Sequence, residues 1–185
     1  MPIPVPSPGR HPPDQRARRL IAQLQLQPHP EGGWYREVFR PAAQVVTQDG
    51  RTARNALTSI YFLLESGQQS RWHQVRSDEV WVYLEGAPLD LWIWDASANL
   101  ARRAVLGPVS LDADLSLSLA MEPQHVVASG LWQAARPQSG VADRFTLAAC
   151  MVGPGFDFSD FRMMQTGGEE AQAIRNRHPD LATFI

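Results

Sequence analysis

Hydrophobic residues recur at two different spacings along this chain, and the change of spacing separates a helix from a series of strands. In residues 15–27, Ala17, Leu20, Ile21 and Leu24 lie three or four positions apart. This is the spacing of the apolar face of an amphipathic helix. Arginines occupy the opposite face, and the prolines that follow end the predicted helix.

Beyond this helix the pattern changes to short apolar segments that are separated by turn residues. Nine segments rich in β-branched and aromatic residues predict strands at 34–40, 57–64, 71–75, 80–84, 89–94, 101–106, 125–128, 131–136 and 145–152. Many short strands at near-regular spacing are typical of a β-sandwich or barrel. Residues 169–177 then predict a short C-terminal helix. The fold class is therefore all-β, with one helix before the strands and one after them.

Length and composition are those of one globular domain. The chain has 185 residues, of which 44% are hydrophobic and 19% are charged, and this length corresponds to one domain. Residues 1–13 hold six of the 15 prolines and predict a disordered arm. Residues 14–185 are then a single domain.

The charge balance and the cysteine count argue against several classes of protein. The 17 basic and 19 acidic residues give a net charge of −2, whereas nucleic-acid binders usually carry a basic excess. The chain has no apolar run long enough for a membrane span, and its start lacks the apolar stretch of a signal peptide. A single cysteine, Cys150, cannot form an intramolecular disulfide. We therefore expect a cytoplasmic protein whose partner is a small molecule.

The stretch from Gly67 to Gly86 holds the most informative chemistry. His73 and Val75 lie two apart on a predicted strand, so their side chains share one face. Glu79 begins the returning strand after a turn and can project toward the same interior. An imidazole and a carboxylate that converge there form either half of a metal site or a general acid/base pair. The structural alternative is a core histidine beside a turn carboxylate.

This spacing resembles the first motif of the cupin superfamily, in which Gly is followed by His-x-His, then Glu, then Gly. Val75 stands at the second histidine position, and Ala128 and Gln133 stand at the Pro and His positions of the second cupin motif. The resemblance leaves only His73, Glu79 and Gln133 as metal ligands, which is a poor set for Fe or Zn. We therefore expect no cofactor, with a divalent metal at these three residues as the alternative.

Seven separated blocks resemble a narrower family, the cupin family of unknown function called "cupin 5". The blocks are residues 29–37, 59–64, 72–73, 77–81, 86–89, 130–135 and 154–158. The resemblance implies a double-stranded β-helix, the cupin jelly-roll barrel, in a protein that is often dimeric. It also implies a similarity in fold to nucleotide-sugar epimerases, which have an RmlC-like barrel.

Five further side chains are candidate ligand contacts around the motif histidine and glutamate. Gln133 would hydrogen-bond a substrate hydroxyl or carbonyl, and Trp132 or Trp81 would stack on a ring. Arg71 shares the predicted strand face of the motif histidine and would bind an anionic group, while Tyr61 would act as a phenolic acid. Core packing is the alternative role for the tryptophans, and a solvated rim position is the alternative for Arg71.

The segment from His29 to Gly33 lacks the glycine spacing and the lysine of a phosphate-binding loop. It predicts a tight turn into the first strand, from which Glu31, Arg36 and Glu37 could still reach the barrel mouth. Cys150 lies in an apolar strand and is interpreted as a buried thiol rather than a nucleophile.

The strand predicted at 89–94 is apolar on both faces, since Trp92 and Trp94 alternate with Leu91 and Ile93. A strand of this kind needs cover on both sides. We therefore predict a homodimer in which a partner subunit supplies part of the cover.

The leading functional interpretation is a small-molecule-binding cupin that acts as a metal-independent isomerase or epimerase on a carbohydrate-like or nucleotide-linked substrate. His73 would be the general base, oriented by Glu79, because an imidazole titrates close to neutral pH. Two alternatives remain. One is a non-catalytic ligand-binding or sensor cupin, and the other is a metal-dependent cupin oxygenase or isomerase that uses His73, Glu79 and Gln133.

Overall fold

A computed structural model describes residues 13–109, 121–140 and 145–185 of the chain. The predicted proline-rich arm lies outside the described residues except for its last position, Pro13, which begins the first helix. The helices are α1 Pro13–Gln23 and α2 Glu169–Arg177, with short 3-10 helices at Phe158–Asp160 and Pro179–Phe184. The strands are β1 Gln27–Pro28, β2 Trp34–Phe39, β3 Gln44–Val45, β4 Arg54–Asn55, β5 Thr58–Glu65, β6 Ser70–Val75, β7 Asp78–Gly86, β8 Leu89–Asp95, β9 Leu100–Leu106, β10 Gln124–Val127, β11 Trp132–Pro137, β12 Phe145–Gly153 and β13 Phe161–Met163.

The nine predicted strands all form, with ends that agree to within two residues, and the C-terminal helix is confirmed. The four strands that were not predicted have two or three residues each, too few to show an alternating pattern. The first helix ends at Gln23 rather than at residue 27. Gln25 adopts a φ of 53°, and the backbone N–H of Leu26 donates to the carbonyl of Ile21. A left-handed residue of this kind ends a helix before any proline is reached.

Two antiparallel sheets form the body of the fold. One has the strand order β1-β2-β5-β12-β7-β10, and the other has the order β13-β6-β11-β8-β9. Large side chains from both sheets meet between them, among them Phe62, Trp81, Leu91 and Ile93, each at most 2% exposed. Burying such a side chain contributes about 2–3 kcal/mol. The predicted all-β class, with one helix before the strands and one after them, is therefore confirmed.

The strand β8 is covered on both faces by its own chain. Leu91 and Ile93 face the core between the sheets. Trp94 packs on the other side against Ile174 of α2 and Phe184 of the last 3-10 helix. The reason given above for a dimer is therefore wrong, because the C-terminal segment supplies the cover that was assigned to a partner subunit.

Candidate functional site

A cavity of about 310 Å³ lies between the two sheets. Strands β2, β5, β7 and β12 of the six-stranded sheet line it on one side, and β6 and β13 line it on the other. Its titratable groups include two imidazoles, two carboxyls and a thiol, contributed by His29, Glu31, His73, Glu79 and Cys150. The cavity therefore brings the two motif residues together with three groups that lie far from them in sequence.

Both ring nitrogens of His73 are engaged. Its Nδ1 lies 2.8 Å from the carbonyl oxygen of Arg71, and because a carbonyl only accepts, Nδ1 carries a proton. Its Nε2 lies 3.1 Å from Oε2 of Glu31. That contact also requires a proton, which belongs to either the ring or the carboxyl. His73 and Glu31 are therefore a hydrogen-bonded pair that shares one proton.

Two pKa shifts favour the form of this pair in which the carboxyl of Glu31 holds the proton. Burial and the neighbouring charge of Glu79 raise the pKa of Glu31 well above its usual range. Burial lowers the pKa of His73 to about 4. Both shifts favour the neutral form of each residue, in which the Glu31 hydroxyl donates to Nε2 of His73. Ser70 Oγ donates to the other oxygen of Glu31 at 3.1 Å and fixes its orientation.

His29 is the second imidazole of the cavity. The backbone N–H of Glu31 donates to its Nδ1 at 3.3 Å, so this nitrogen is unprotonated and the proton of the neutral ring lies on Nε2. Burial lowers the pKa of His29 to about 4, which keeps the ring neutral. The edge-to-face contact with Tyr35, at 4.5 Å between ring centroids, holds the ring in the cavity wall.

Glu79 is held by a fixed chain of hydrogen bonds. The indole N–H of Trp81 donates to Oε1 of Gln133 at 2.9 Å. This leaves the amide Nε2 of Gln133 to donate to Oε2 of Glu79 at 2.5 Å. Glu79 is 6% exposed, and burial raises its pKa to about 7 although hydrogen bonds from Gln133 and Cys150 act in the opposite direction. A carboxyl with this pKa can both take and give a proton near neutral pH.

Trp81 and Gln133 are therefore near the site in roles that differ from those predicted. Neither lines the cavity. Gln133 orients Glu79 instead of meeting a substrate, and Trp81 fixes the amide of Gln133 instead of stacking on a ring.

Three predicted ligand contacts lie outside the cavity. Trp132 lies in the buried cluster that also holds Trp94 and Phe184, with the guanidinium of Arg162 at 4.6 Å from its ring centroid. Tyr61 packs in the cluster beneath α1, because its neighbours Ile60 and Phe62 take the inner face of β5. Arg71 is exposed, and its side chain is not among the groups that line the cavity.

An irregularity in β6 explains the position of Arg71. The register pairs His73 with Gln133 but Ser70 with Ala135, so β6 has one extra residue in this stretch, as in a β-bulge. Ser70 consequently faces inward beside His73, and the simple alternation that predicted an inward Arg71 fails.

The donor set of the cupin motifs does not fit a metal ion in this chain. Val75 offers no ligand atom, and the carboxamide oxygen of Gln133 is taken by the indole of Trp81. Among the residues that the structure describes, no group of three or more His, Cys, Asp or Glu side chains is arranged to hold a metal. We derive no chemical step through a metal.

Sequence reasoning missed the pairing of Glu31 with His73. The loop that carries Glu31 crosses the start of β6, where the N–H of Arg71 donates to the carbonyl of Glu31 at 2.9 Å. An acidic residue between a proline and two glycines was the available signal. Glycines there allow the close approach of two backbones that buries the carboxyl.

The segment that follows β12 closes one side of the cavity with aromatic rings. Phe156, Phe158 and Phe161 contact one another edge to face. Asp160, which is 5% exposed, links this segment to strand β4. It accepts two hydrogen bonds from the guanidinium of Arg54, at 2.7 and 2.9 Å. The aromatic wall is therefore anchored by a buried ion pair.

Replacing Gln133 by Leu is expected to raise the pKa of Glu79 further, because the hydrogen bond from Gln133 stabilises the ionised carboxylate. The indole N–H of Trp81 would also lose its acceptor. The measurement is the pH at which Glu79 ionises, followed by carbon-13 NMR of its carboxyl. The matched control is Gln138→Leu, which removes an amide donor to Asp90 outside the cavity. If Glu79 ionises at the same pH in Gln133→Leu and Gln138→Leu, the role given to Gln133 is contradicted.

No helix among the described segments is long and apolar enough to cross a membrane.

Comparisons with known proteins agree with this architecture. The model of a cupin superfamily group, Cupin_5 (DUF985), matches residues 18–164. A hypothetical protein from Leishmania major is 31% identical, with a TM-score of 0.73, and the match covers 91% of this chain and 96% of that one. A protein from Shewanella oneidensis is 30% identical, with a TM-score of 0.70, covering 90% and 92%. A cupin 2 domain-containing protein from Halorhodospira halophila shares the fold, with 14% identity and a TM-score of 0.51. That match covers 86% of this chain and 94% of the other. The search of curated proteins found no match.

Proposed function

The chain belongs to the Cupin_5 (DUF985) family of the cupin superfamily, and from this membership and the contents of the cavity we propose that it binds a small carbohydrate-like molecule and catalyses metal-independent proton transfer on it, as an isomerase or epimerase. The observation that carries the proposal is that two buried carboxyls with raised pKa values, Glu31 and Glu79, line one cavity. Carboxyl groups in a cleft whose pKa values are shifted from the ordinary range are typical of acid/base sites.

The two carboxyls have different roles in this proposal. Glu79, when ionised, takes the proton from the carbon beside a substrate carbonyl. In an isomerase it returns this proton to the former carbonyl carbon, while the proton of the adjacent hydroxyl passes to the former carbonyl oxygen. In an epimerase it returns the proton to the opposite face of the same carbon after the enolate has turned over in the cavity. Glu31 stays protonated, and its one proton is donated to Nε2 of His73. The Nε2–H of His29 therefore donates the hydrogen bond to the oxygen on which negative charge develops. His73 positions Glu31 through its Nε2. The role of general base therefore passes from His73 to Glu79.

The substrate in this proposal is not linked to a nucleotide. Arg40 is the one cation among the described residues that line the cavity, and its guanidinium is paired with both carboxylate oxygens of Glu37. A diphosphate would also face Asp157 at the mouth. A neutral or cationic molecule fits these charges better.

The test is solvent deuterium exchange. The protein is incubated in D₂O with a panel of aldoses and ketoses, and deuterium at the carbon beside the carbonyl is followed by NMR. We expect exchange whose rate rises with pH through about 7 and then levels, because the base is the ionised form of Glu79. A sugar that binds in the cavity and shows no exchange would overturn the enzymatic proposal and favour a ligand-binding or sensor cupin.

We also propose that the protein is a cytoplasmic homodimer. Val126 and Leu84 are 49% and 44% exposed on the outer face of β10 and β7, beside the partly exposed Val80 and Val82. A second copy of this face would cover them. Light scattering at micromolar concentration should give twice the chain mass, and Val126→Glu should give the monomer mass. A monomeric wild-type protein would contradict this proposal.

A further inference from the structure

Acidic side chains outnumber basic ones among the described residues that line the cavity. Four carboxyl residues, Glu31, Glu37, Glu79 and Asp157, face it with a single described cation, Arg40. Neither Glu31 nor Glu79 contacts an Arg side chain among the described residues. Their partners are hydroxyl, imidazole, amide and thiol groups. A buried carboxylate without a counter-ion is costly, so the ionised form of Glu79 would gain from a positive charge that the described lining residues do not provide.

Arg40 cannot serve an anionic ligand. Its Nε and Nη2 hold the two oxygens of Glu37 at 2.9 and 2.7 Å. Its Nη1 donates to Asn55 Oδ1 at 2.9 Å and to the carbonyl of Phe156 at 3.0 Å. The guanidinium fork that would clamp a carboxylate or phosphate is therefore already occupied.

The cavity also presents one hydrogen-bond donor, on His29, and several aromatic rings to a ligand. The side chain of His29 is 7% exposed. Its Nδ1 is used by the backbone N–H of Glu31, whereas its Nε2 has no hydrogen-bond partner in the described part of the chain. The rings of Tyr35, Phe156 and Phe161 stand in the same wall. Aromatic faces next to carboxylates are the surroundings in which proteins bind organic ammonium ions.

We propose that the ligand of this cavity is an organic amine in its ammonium form that also carries a hydroxyl or carbonyl oxygen, with the size of an amino sugar. This inference rests on the function proposed above and names the charge class of its substrate. The ammonium group would lie against the carboxylate of Glu79. The oxygen would accept from the Nε2–H of His29.

The test compares molecules of one shape and three charges by isothermal titration calorimetry at about pH 7.5. The first series is glucosamine, glucose and glucuronate, and the second is benzylamine, benzyl alcohol and benzoate. We expect the amine of at least one series to bind about ten-fold more tightly than its neutral counterpart, because it makes one additional charge contact. We expect the anion of each series to bind most weakly. The proposal is overturned if a neutral or anionic member binds as well as the amine in both series. It is also overturned if no amine binds at millimolar concentration.

Two variants locate the effect. Glu79→Gln keeps the shape of the side chain and should remove the preference of the amine over its neutral counterpart. Glu85→Gln changes an exposed carboxyl that pairs with Arg16 outside the cavity and should leave the preference unchanged. Amine preference that survives Glu79→Gln would place the amine elsewhere and contradict the proposal.

The outcomes separate this inference from the proposed function. If an amine binds selectively but shows no deuterium exchange, the charge class stands and the enzymatic proposal falls. If a neutral sugar exchanges while amines bind no better, the enzymatic proposal stands and the charge class falls.

Discussion

Replacing Glu79 by Gln should reduce the rate of deuterium exchange by about 10³-fold, within the range known for loss of a general base. A carboxamide cannot accept a proton from carbon. Its oxygen can still accept the hydrogen bond that Gln133 now donates to Glu79, so the cavity keeps its shape. The measurement is kcat at saturating concentration of the best substrate from the panel. A variant that retains the wild-type rate would remove Glu79 from the mechanism.

The same variant should be more stable than wild type at alkaline pH, which separates loss of chemistry from loss of fold. The pKa of Glu79 is about 7 in the folded protein, against 4.5 for the unperturbed group. Between these values the folded state binds more protons than the unfolded state, so the free energy of unfolding falls as pH rises. The gap is worth about 3 kcal/mol. Urea denaturation should show Glu79→Gln more stable by about this amount near pH 8, with little difference near pH 4.

Replacing Gly32 by Ala should lower the free energy of unfolding by about 3 kcal/mol or more. Gly32 has a φ of 114°, and a Cβ built there would lie 2.3 Å from the backbone oxygen of Gln69. Neither backbone can yield without moving Glu31, which precedes Gly32 and is fixed to β6 by its carbonyl. We therefore expect ligand binding to be lost together with stability, as measured by urea denaturation and calorimetry.

Gly67→Ala is the matched control for backbone strain without a clash. Gly67 has a φ of 85°, with no atom within 4 Å of the added Cβ. We expect a loss of about 1 kcal/mol for the left-handed conformation alone and unchanged ligand binding. If Gly32→Ala costs no more than Gly67→Ala, the close approach of the two backbones does not position Glu31.

The sequence was sufficient for the fold because the period of its apolar positions and its turn residues agree along the whole chain. It also placed His73 and Glu79 in one cavity, since the motif spacing sets both on inner strand faces. The alternation of side chains also limits which neighbours can share the site. Trp132 and Gln133 are adjacent in β11 and must face opposite sides, yet both were assigned to the site.

Two features of the site could not be read from local pattern. The residues from Ser70 to Trp72 give no sign in the sequence that β6 carries an extra residue. Only the pairing with β11 shows which of them faces inward. The contact between Glu31 and His73 joins two segments whose approach depends on the loop that crosses β6. Long-range contacts of this kind have no periodic signature, so the carboxyl partner of His73 was assigned to Glu79 instead.

The most direct test of this account is the ionisation of the two cavity carboxyls, measured by a carbon-13 NMR titration of glutamate side chains, with Glu79→Gln and Glu31→Gln used for assignment. The account predicts that Glu79 titrates at about 7 and that Glu31 keeps its proton well above the usual glutamate range. Two glutamates that both titrate near the ordinary value of 4.5 would contradict it, because the cavity would then hold two charged carboxylates and no acid.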